Sequence, residues 1–329
     1  MKRLAIIGGG AWGTALAMVA HRAGARALVW GRDPAIVAAI NRDHANPVYL
    51  PGIALDPAIA ATGDPAEAIG GADAAVLAVP AQFFRGVLTG LGPGLLAELP
   101  LLLCVKGIET QSLKTMSELV REIVPGAPVA VLAGPSLAGE VARDQPTAVT
   151  IASRDPELAG AFMAALGGAR FRPYLSDDPI GAEIGGAVKN VLAIACGIVE
   201  GQGLGDNARA ALITRGLAEM VRLGLAKGGR ADTFRGLSGL GDLVLTCTAA
   251  QSRNHGLGVA LGRGIGLAEA LAGSRSVVEG VATAAAVDQL AARLAVEMPI
   301  TAAVDAVLHR GMAIGAMIER LLARPYRSE

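Results

Sequence analysis

Near the N-terminus the run Leu4-Ala-Ile-Ile7 is continuous and apolar, and glycines follow at Gly8, Gly10 and Gly13. This G-x-G-x-x-G spacing constrains the fold more than any other feature of the chain. A buried strand must end in a tight turn, which Gly8 permits. Gly10 lets the backbone approach a pyrophosphate, and Gly13 lets the following helix pack close to the strand. Free N–H groups at the start of that helix, expected over Thr14–Ala23, then face negative charge. With 44 glycines in the chain the spacing alone is weak. The apolar run before it makes it a dinucleotide signal.

The same texture continues through the first half. Apolar runs at Ala27–Trp30, Ala74–Val79, Leu101–Val105, Val129–Leu132 and Ala148–Ile151 are bounded by Gly and Pro, with helical stretches between them. This pattern fits parallel strands covered on both faces, and a doubly wound sheet is its simplest architecture. Ligands then bind at the carboxyl ends of the strands, around Gly8–Gly13, Gly31–Asp33, Val79–Gln82, Lys106–Gly107 and Gly134–Ser136. From Ile180 onward, long Ala/Leu/Val-rich segments at helical spacing replace the strands. Ile184–Val199, Asn207–Leu225 and Ser276–Leu294 are the clearest, and Ile300–Leu322 reads as a final helix with Gly311 and Gly315 allowing close packing. The expected organisation is a dinucleotide-binding domain over 1–179 and an all-helical substrate domain over 180–329. Phe171–Pro179, with its Arg-Pro-Tyr and Asp-Asp-Pro pieces, reads as linker.

At 329 residues, two domains are expected. A net charge of zero argues against nucleic acid as partner. No uninterrupted apolar run reaches membrane-spanning length. Cys104, Cys196 and Cys247 are widely spaced and lie among apolar residues, which fits a reducing compartment. A cytoplasmic enzyme is the natural reading. No metal site is expected, because His21, His44, His255 and His309 lack ligand spacing. Gly134-Pro-Ser-Leu-Ala-Gly139 is not the nucleophile elbow of a serine hydrolase.

Only five of the 29 basic residues are lysines: Lys2, Lys106, Lys114, Lys189 and Lys227. Lysine lacks the planar fork of arginine but loses its proton when desolvated. Lys106 sits at a strand end, where this fold binds ligands. Lys189 lies inside an apolar helix and is followed by Asn190, so it should face solvent, an interface or a cleft. Surface solubility is the alternative for both, and it suits Lys2, Lys114 and Lys227 well. Ser252, Arg253 and Asn254 offer a hydroxyl, a guanidinium and an amide close together. At a helix start they make a phosphate pocket; otherwise they are a capped interhelical loop. The second strand is followed by Gly31-Arg32-Asp33 with no acid at its immediate end. Arg32 can stack on adenine and attract a 2′-phosphate, whereas Asp33 can hold a ribose hydroxyl or merely cap the helix from Pro34. The balance favours NADP slightly over NAD.

Together these segments resemble the bacterial NAD(P)-dependent glycerol-3-phosphate dehydrogenases over essentially the whole chain. The resemblance rests on Gly8-Gly-Gly-Ala-Trp-Gly13, Trp30-Gly-Arg32, Asn46-Pro47, Val105-Lys-Gly-Ile-Glu109 and Ala133-Gly-Pro-Ser-Leu-Ala-Gly-Glu140. It continues through Glu183-Ile-Gly-Gly-Ala-Val-Lys-Asn190, Gly201-Gln-Gly-Leu-Gly-Asp-Asn207, Leu240-Gly-Asp-Leu243, Ser252-Arg-Asn254 and Val277-Val-Glu-Gly280. It implies a Rossmann-like N-terminal domain and interconversion of dihydroxyacetone phosphate and sn-glycerol 3-phosphate, supplying glycerophospholipid synthesis. It implies Lys189 as catalytic acid/base, with Lys106, Gly134, Ser136, Asp242, Ser252, Arg253 and Asn254 also at the substrate. Gly8, Gly10, Ala11, Trp12, Gly13, Arg32, Tyr49, Lys106, Ala138, Arg253, Val277 and Glu279 match cofactor positions. Ala11 departs from the small hydroxyl residue common in the family, and Asp33 occupies a variable position. The rivals are a dehydrogenase of the same architecture acting on a sugar acid, hydroxyacyl thioester or ketopantoate, and a nicotinamide-binding regulator without turnover. A homodimer surface fits the helical half, but the pattern does not place one.

Overall fold

The structure, a computed structural model, describes residues 1–272 and 276–325. Residues 273–275 and 326–329 of the expected helical domain therefore lie outside the described residues. Eight strands form one sheet: β1 (Arg3–Ile7), β2 (Arg26–Trp30), β3 (Ala60–Thr62), β4 (Ala74–Leu77), β5 (Leu101–Leu103), β6 (Val129–Ala133), β7 (Thr147–Ala152) and β8 (Phe171–Ser176). Their order is β3-β2-β1-β4-β5-β6-β7-β8. The first six pair in parallel, and β1 lies between β2 and β4 with Ile7 opposite Trp30 and Leu77. Strand order reverses beside β1, and the glycine turn leaves its carboxyl end there. That is the crevice where open α/β sheets bind ligands.

Three sequence expectations need correction. First, β7 runs antiparallel to β6, with Leu132 opposite Ile151. A parallel return needs a long crossover, and the connection here carries only the five-residue helix Ala138–Ala142. Second, the expected linker from Phe171 contains β8, paired in parallel with β7. β8 is the edge strand, so the missing N–H of Pro173 is tolerated. Third, the expected final helix is two helices, Pro299–His309 and Ile314–Leu322. Gly311, at φ +66°, turns the chain between them, and a Cβ on either Gly311 or Gly315 would meet open space. Gly311 serves a turn, and neither glycine serves close packing. No sequence expectation covers the short strand β3.

Apolar side chains from both faces of the sheet build two cores, one around Ile6, Leu16 and Val29 and the other around Ile7, Leu77 and Phe84. A third core is helical and centres on Pro179–Gly201, which begins just after β8. This helix is long and apolar enough to cross a membrane, with mean hydropathy 1.5, yet that window is wholly buried inside the protein. Its glycines explain how neighbours reach it. A Cβ on Gly185 would collide with the Ser238 carbonyl, and one on Gly197 with the His255 carbonyl. The helix is thus the axle around which the second half packs. All three cysteines are buried thiols.

Candidate functional site

The glycine turn has the geometry its spacing requires. Gly8 has φ +125°, and a Cβ there would lie 2.6 Å from the Ala78 carbonyl oxygen. A Cβ on Gly13 would collide with the Gly8 carbonyl. A Cβ on Gly10 would meet nothing within 4 Å, so the turn is open on its outer side. The helix Ala11–Arg22 begins there, and Gly10 provides no side-chain cap for its first N–H groups. Uncapped N–H donors at a helix start are suited to holding an anion. Ala11, Trp12, Tyr49 and Ala138 pack, partly buried, against the same core, and the Trp12 indole Nε1 is buried without a hydrogen-bond partner. At the end of β2, the Arg32 guanidinium lies over the Phe83 ring, 5.5 Å from its centre. Asp33 caps the next helix by accepting from the Ala35 N–H at 2.9 Å. Its helix-cap reading is therefore correct, whatever else it contacts.

The two singled-out lysines meet at one carboxylate. Lys106 follows β5, and its Nζ lies 2.8 Å from Asp242 Oδ2. It also donates to the Gly134 carbonyl at 3.0 Å and to Ser136 Oγ at 3.5 Å. Lys189 comes from the middle of Pro179–Gly201, with its Nζ 2.5 Å from Asp242 Oδ1. It faces neither solvent nor an open surface, being 6% exposed. Asp242 opens the helix Asp242–Thr248, directly after the π-helical turn Leu237–Gly241. Glycine at 185 lets that turn sit against the central helix, as above.

Burial pulls the Lys189 ammonium down to about 8; Asp242 opposes that change and Lys106 assists it. Burial pushes the Asp242 carboxyl up, but the two ammoniums outweigh it and hold the group below the usual carboxylate range. The result is a buried ammonium poised near neutrality beside a carboxylate that stays charged. Such a group can give or take a proton.

Sequence reasoning assigns no role to Thr246 or Asn190. Thr246 Oγ1 accepts from Lys189 Nζ at 2.9 Å and donates to the Asp242 carbonyl at 2.6 Å. Its one sequence signal is the spacing of four from Asp242, which places both on one helix face. Asn190 donates to the Lys106 carbonyl at 3.0 Å and accepts from Asn254 Nδ2 at 3.0 Å. Asn254 in turn accepts from the Gly280 N–H at 2.9 Å. Ser252 caps the helix Arg253–Gly262 by accepting from the His255 N–H at 3.3 Å. The Ser252–Asn254 cluster is therefore a helix start, tied through Asn190 to Lys106. Arg253 reaches the Val277 carbonyl at 2.8 Å.

Glu279 joins the two halves by accepting from the Ala81 N–H at 3.1 Å. Its Oε2 and Thr283 Oγ1 are buried without partners, and both lie within 3.4 Å of where a Gly107 Cβ would stand. Two orphaned polar atoms beside Gly107 fit a polar group of a bound cofactor. Burial pushes the Glu279 carboxyl up to about 7, against the Ala81 N–H and Arg253. The folded chain keeps this proton at pH values where the unfolded chain has lost it. The stability it contributes is whole below about 4.5 and is lost as pH rises through about 7. Glu279→Gln is therefore expected to stabilise the protein by about 1–2 kcal/mol near pH 8, allowing for partial solvent contact. Near pH 4 it should have no such effect, which thermal denaturation at the two pH values checks.

Among the described residues no cluster of three or more His, Cys, Asp or Glu could hold a metal ion.

Two family models match the chain. Residues 3–159 match the N-terminal family model of NAD-dependent glycerol-3-phosphate dehydrogenase, and residues 178–319 match the C-terminal one. The chain is 57% identical over 329 residues to a glycerol-3-phosphate dehydrogenase [NAD(P)+] of Rhodospirillum rubrum, covering 100% of this chain and 94% of that protein. It is 54% identical to the protein of that name from Caulobacter vibrioides, covering 100% and 99%. The crystal structure of glycerol-3-phosphate dehydrogenase from Coxiella burnetii superposes with a TM-score of 0.95 at 40% identity, covering 98% of this chain and 99% of that one. Fold, site and similarity over the full length agree, and the chain belongs to the NAD(P)-dependent glycerol-3-phosphate dehydrogenase family.

Proposed function

We propose that the Lys106–Asp242–Lys189 cluster, at the same carboxyl edge of the sheet as the glycine turn, is where this chain interconverts dihydroxyacetone phosphate and sn-glycerol 3-phosphate. The observation that carries the reading is a buried lysine poised near neutrality, 2.5 Å from a carboxylate, at the ligand end of a dinucleotide-binding sheet. The nicotinamide, when bound, supplies or accepts the hydride at substrate C2. In reduction, charged Lys189 gives its proton to the C2 oxygen; in oxidation, neutral Lys189 takes the hydroxyl proton. Asp242 orients both amines. Lys106 steadies the negative charge that develops on the oxygen, and Gly134 and Ser136 hold Lys106 in place beside the substrate.

The cofactor is held by Gly8, Gly10, Ala11, Trp12 and Gly13 at its pyrophosphate, and by Arg32 and Tyr49 toward its adenosine. Lys106, Ala138, Arg253, Val277 and Glu279 complete that set. Arg32 is available at the end of β2, while Asp33 is engaged in its cap, and this favours NADPH over NADH. We place most of the cofactor on residues 1–179, with Arg253, Val277 and Glu279 reaching it from 180–329, and the substrate phosphate on 180–329. Three buried thiols suit a reducing cytoplasm, and the product suits glycerophospholipid synthesis.

Ser252, Arg253 and Asn254 anchor the substrate phosphate at the start of their helix. Arg253→Ala is expected to lower kcat/KM for dihydroxyacetone phosphate by about 10²-fold or more, the scale for removing a charged partner. At saturating cofactor, turnover of phosphate-free dihydroxyacetone should change by less than about threefold. Steady-state kinetics with both substrates checks this, and equal losses would remove Arg253 from the phosphate.

A further inference from the structure

We propose that Asn46 is a positioning residue for the dinucleotide, acting through the glycine turn; this rests on the cofactor reading above. The helix Pro34–Asp43 ends at His44 in the left-handed conformation, φ 47° and ψ 48°. That turn and the Ala45–Ala54 bridge bring the chain back beneath the start of the helix Ala11–Arg22. Asn46 is there 0% exposed. Its Nδ2 donates to the Gly9 carbonyl at 3.0 Å and to Thr14 Oγ1 at 2.8 Å. Its Oδ1 accepts from the Tyr49 N–H at 3.3 Å.

These partners fix the polarity of the amide. The Gly9 carbonyl only accepts and the Tyr49 N–H only donates, so nitrogen must face the first and oxygen the second. The consequence reaches the ligand side. In a trans peptide, C=O and N–H point in opposite directions. Holding the Gly9 carbonyl inward on Asn46 therefore turns the Gly10 N–H outward, to the open side of the turn. Were that peptide to flip, a carbonyl oxygen would face the pyrophosphate and repel it. The same amide sets the backbone of Tyr49, so one buried side chain aligns the anion cradle and the adjoining loop.

Asn46→Ala removes the inward hold. Asn46→Asp keeps the shape and the acceptor for Tyr49 but sets a carboxylate against the Gly9 carbonyl. Calorimetric titration with ADP-ribose, which carries the pyrophosphate without nicotinamide, reads the effect apart from turnover. We expect about 10-fold weaker binding in the alanine variant and a larger loss in the aspartate variant. In steady state, KM for NADPH should rise in parallel, while kcat at saturating NADPH and KM for dihydroxyacetone phosphate stay within about twofold. ADP-ribose binding within about twofold of wild type in either folded variant would overturn the assignment. So would proportionate losses in kcat and in both KM values, which would show a general structural role. If wild-type protein binds neither ADP-ribose nor its 2′-phosphate derivative, the cofactor reading itself fails; if wild type binds and either folded variant matches it, only the role of Asn46 fails.

Discussion

Lys189→Ala is expected to lower kcat for dihydroxyacetone phosphate reduction by about 10³–10⁴-fold with KM changed only modestly. The upper part of the range for general acid–base catalysis applies because no other group among the described residues is placed to act instead. Lys106 is close, but its Nζ is already committed to Asp242, Gly134 and Ser136. Thr246 hydrogen-bonds to Lys189, but an aliphatic hydroxyl is far too weak an acid to replace it. Truncation leaves Asp242 paired with Lys106 at 2.8 Å, so the carboxylate keeps a counter-ion and the fold should hold. Rapid-mixing kinetics separates chemistry from product release, and circular dichroism confirms the fold. A decrease of less than about tenfold in the chemical step would remove Lys189 as the acid.

Asp242→Asn should be nearly as damaging, and it adds a loss of stability. The native carboxylate is 1% exposed and neutralises two lysines at once. An amide of the same shape leaves both ammoniums facing each other. Breaking a buried pair in this way costs about 3–5 kcal/mol, less whatever Lys189 recovers by releasing its proton. We therefore expect a stability loss of about 2–4 kcal/mol near pH 7 and at least about 10²-fold lower reduction there. The stability difference has a definite sign with pH. Because the folded Asp242 carboxyl lies below its ordinary value of 3.8, its contribution is present above that value and lost as pH falls through the lowered one. The gap between wild type and variant should accordingly close in strong acid. Adding Lys189→Met to Asp242→Asn should recover part of the stability without activity, because one uncompensated charge is then gone. Denaturant titrations of the three proteins across pH check each sign.

The parts of this site legible in the sequence are those set by local rules. Glycine at 8, 10 and 13 after an apolar strand states a turn, because Gly8 and Gly13 each need a missing Cβ and Gly10 leaves the outer side open. Ser252 reads as a cap because its partner His255 is three residues away. Lys106 and Lys189 stand out by composition, yet their convergence does not. Asp242 is 136 positions from one and 53 from the other, and only the packing of the π-helical turn on the central helix joins them. Asn46 is hidden for the same reason: it is visible as part of a motif, but its partners lie 37 and 32 positions away. The error at Phe171–Ser176 has the opposite cause. Pro173 and the following acidic pair obey the local rules for a linker, and edge position in the sheet overrides them. Likewise β7 carries the apolar signature of a parallel strand, because periodicity reports burial and leaves direction to the length of the connection.

The most direct test is the pH dependence of both directions in the wild-type protein, at saturating substrate and cofactor. Dihydroxyacetone phosphate with NADPH or NADH should give reduction that is full below about pH 8 and falls as pH rises through it. sn-Glycerol 3-phosphate with the oxidised cofactor should give oxidation that rises through the same value. These mirrored limbs should disappear in Lys189→Ala. Absence of turnover with either cofactor, or limbs that survive unchanged in that variant, would contradict the account.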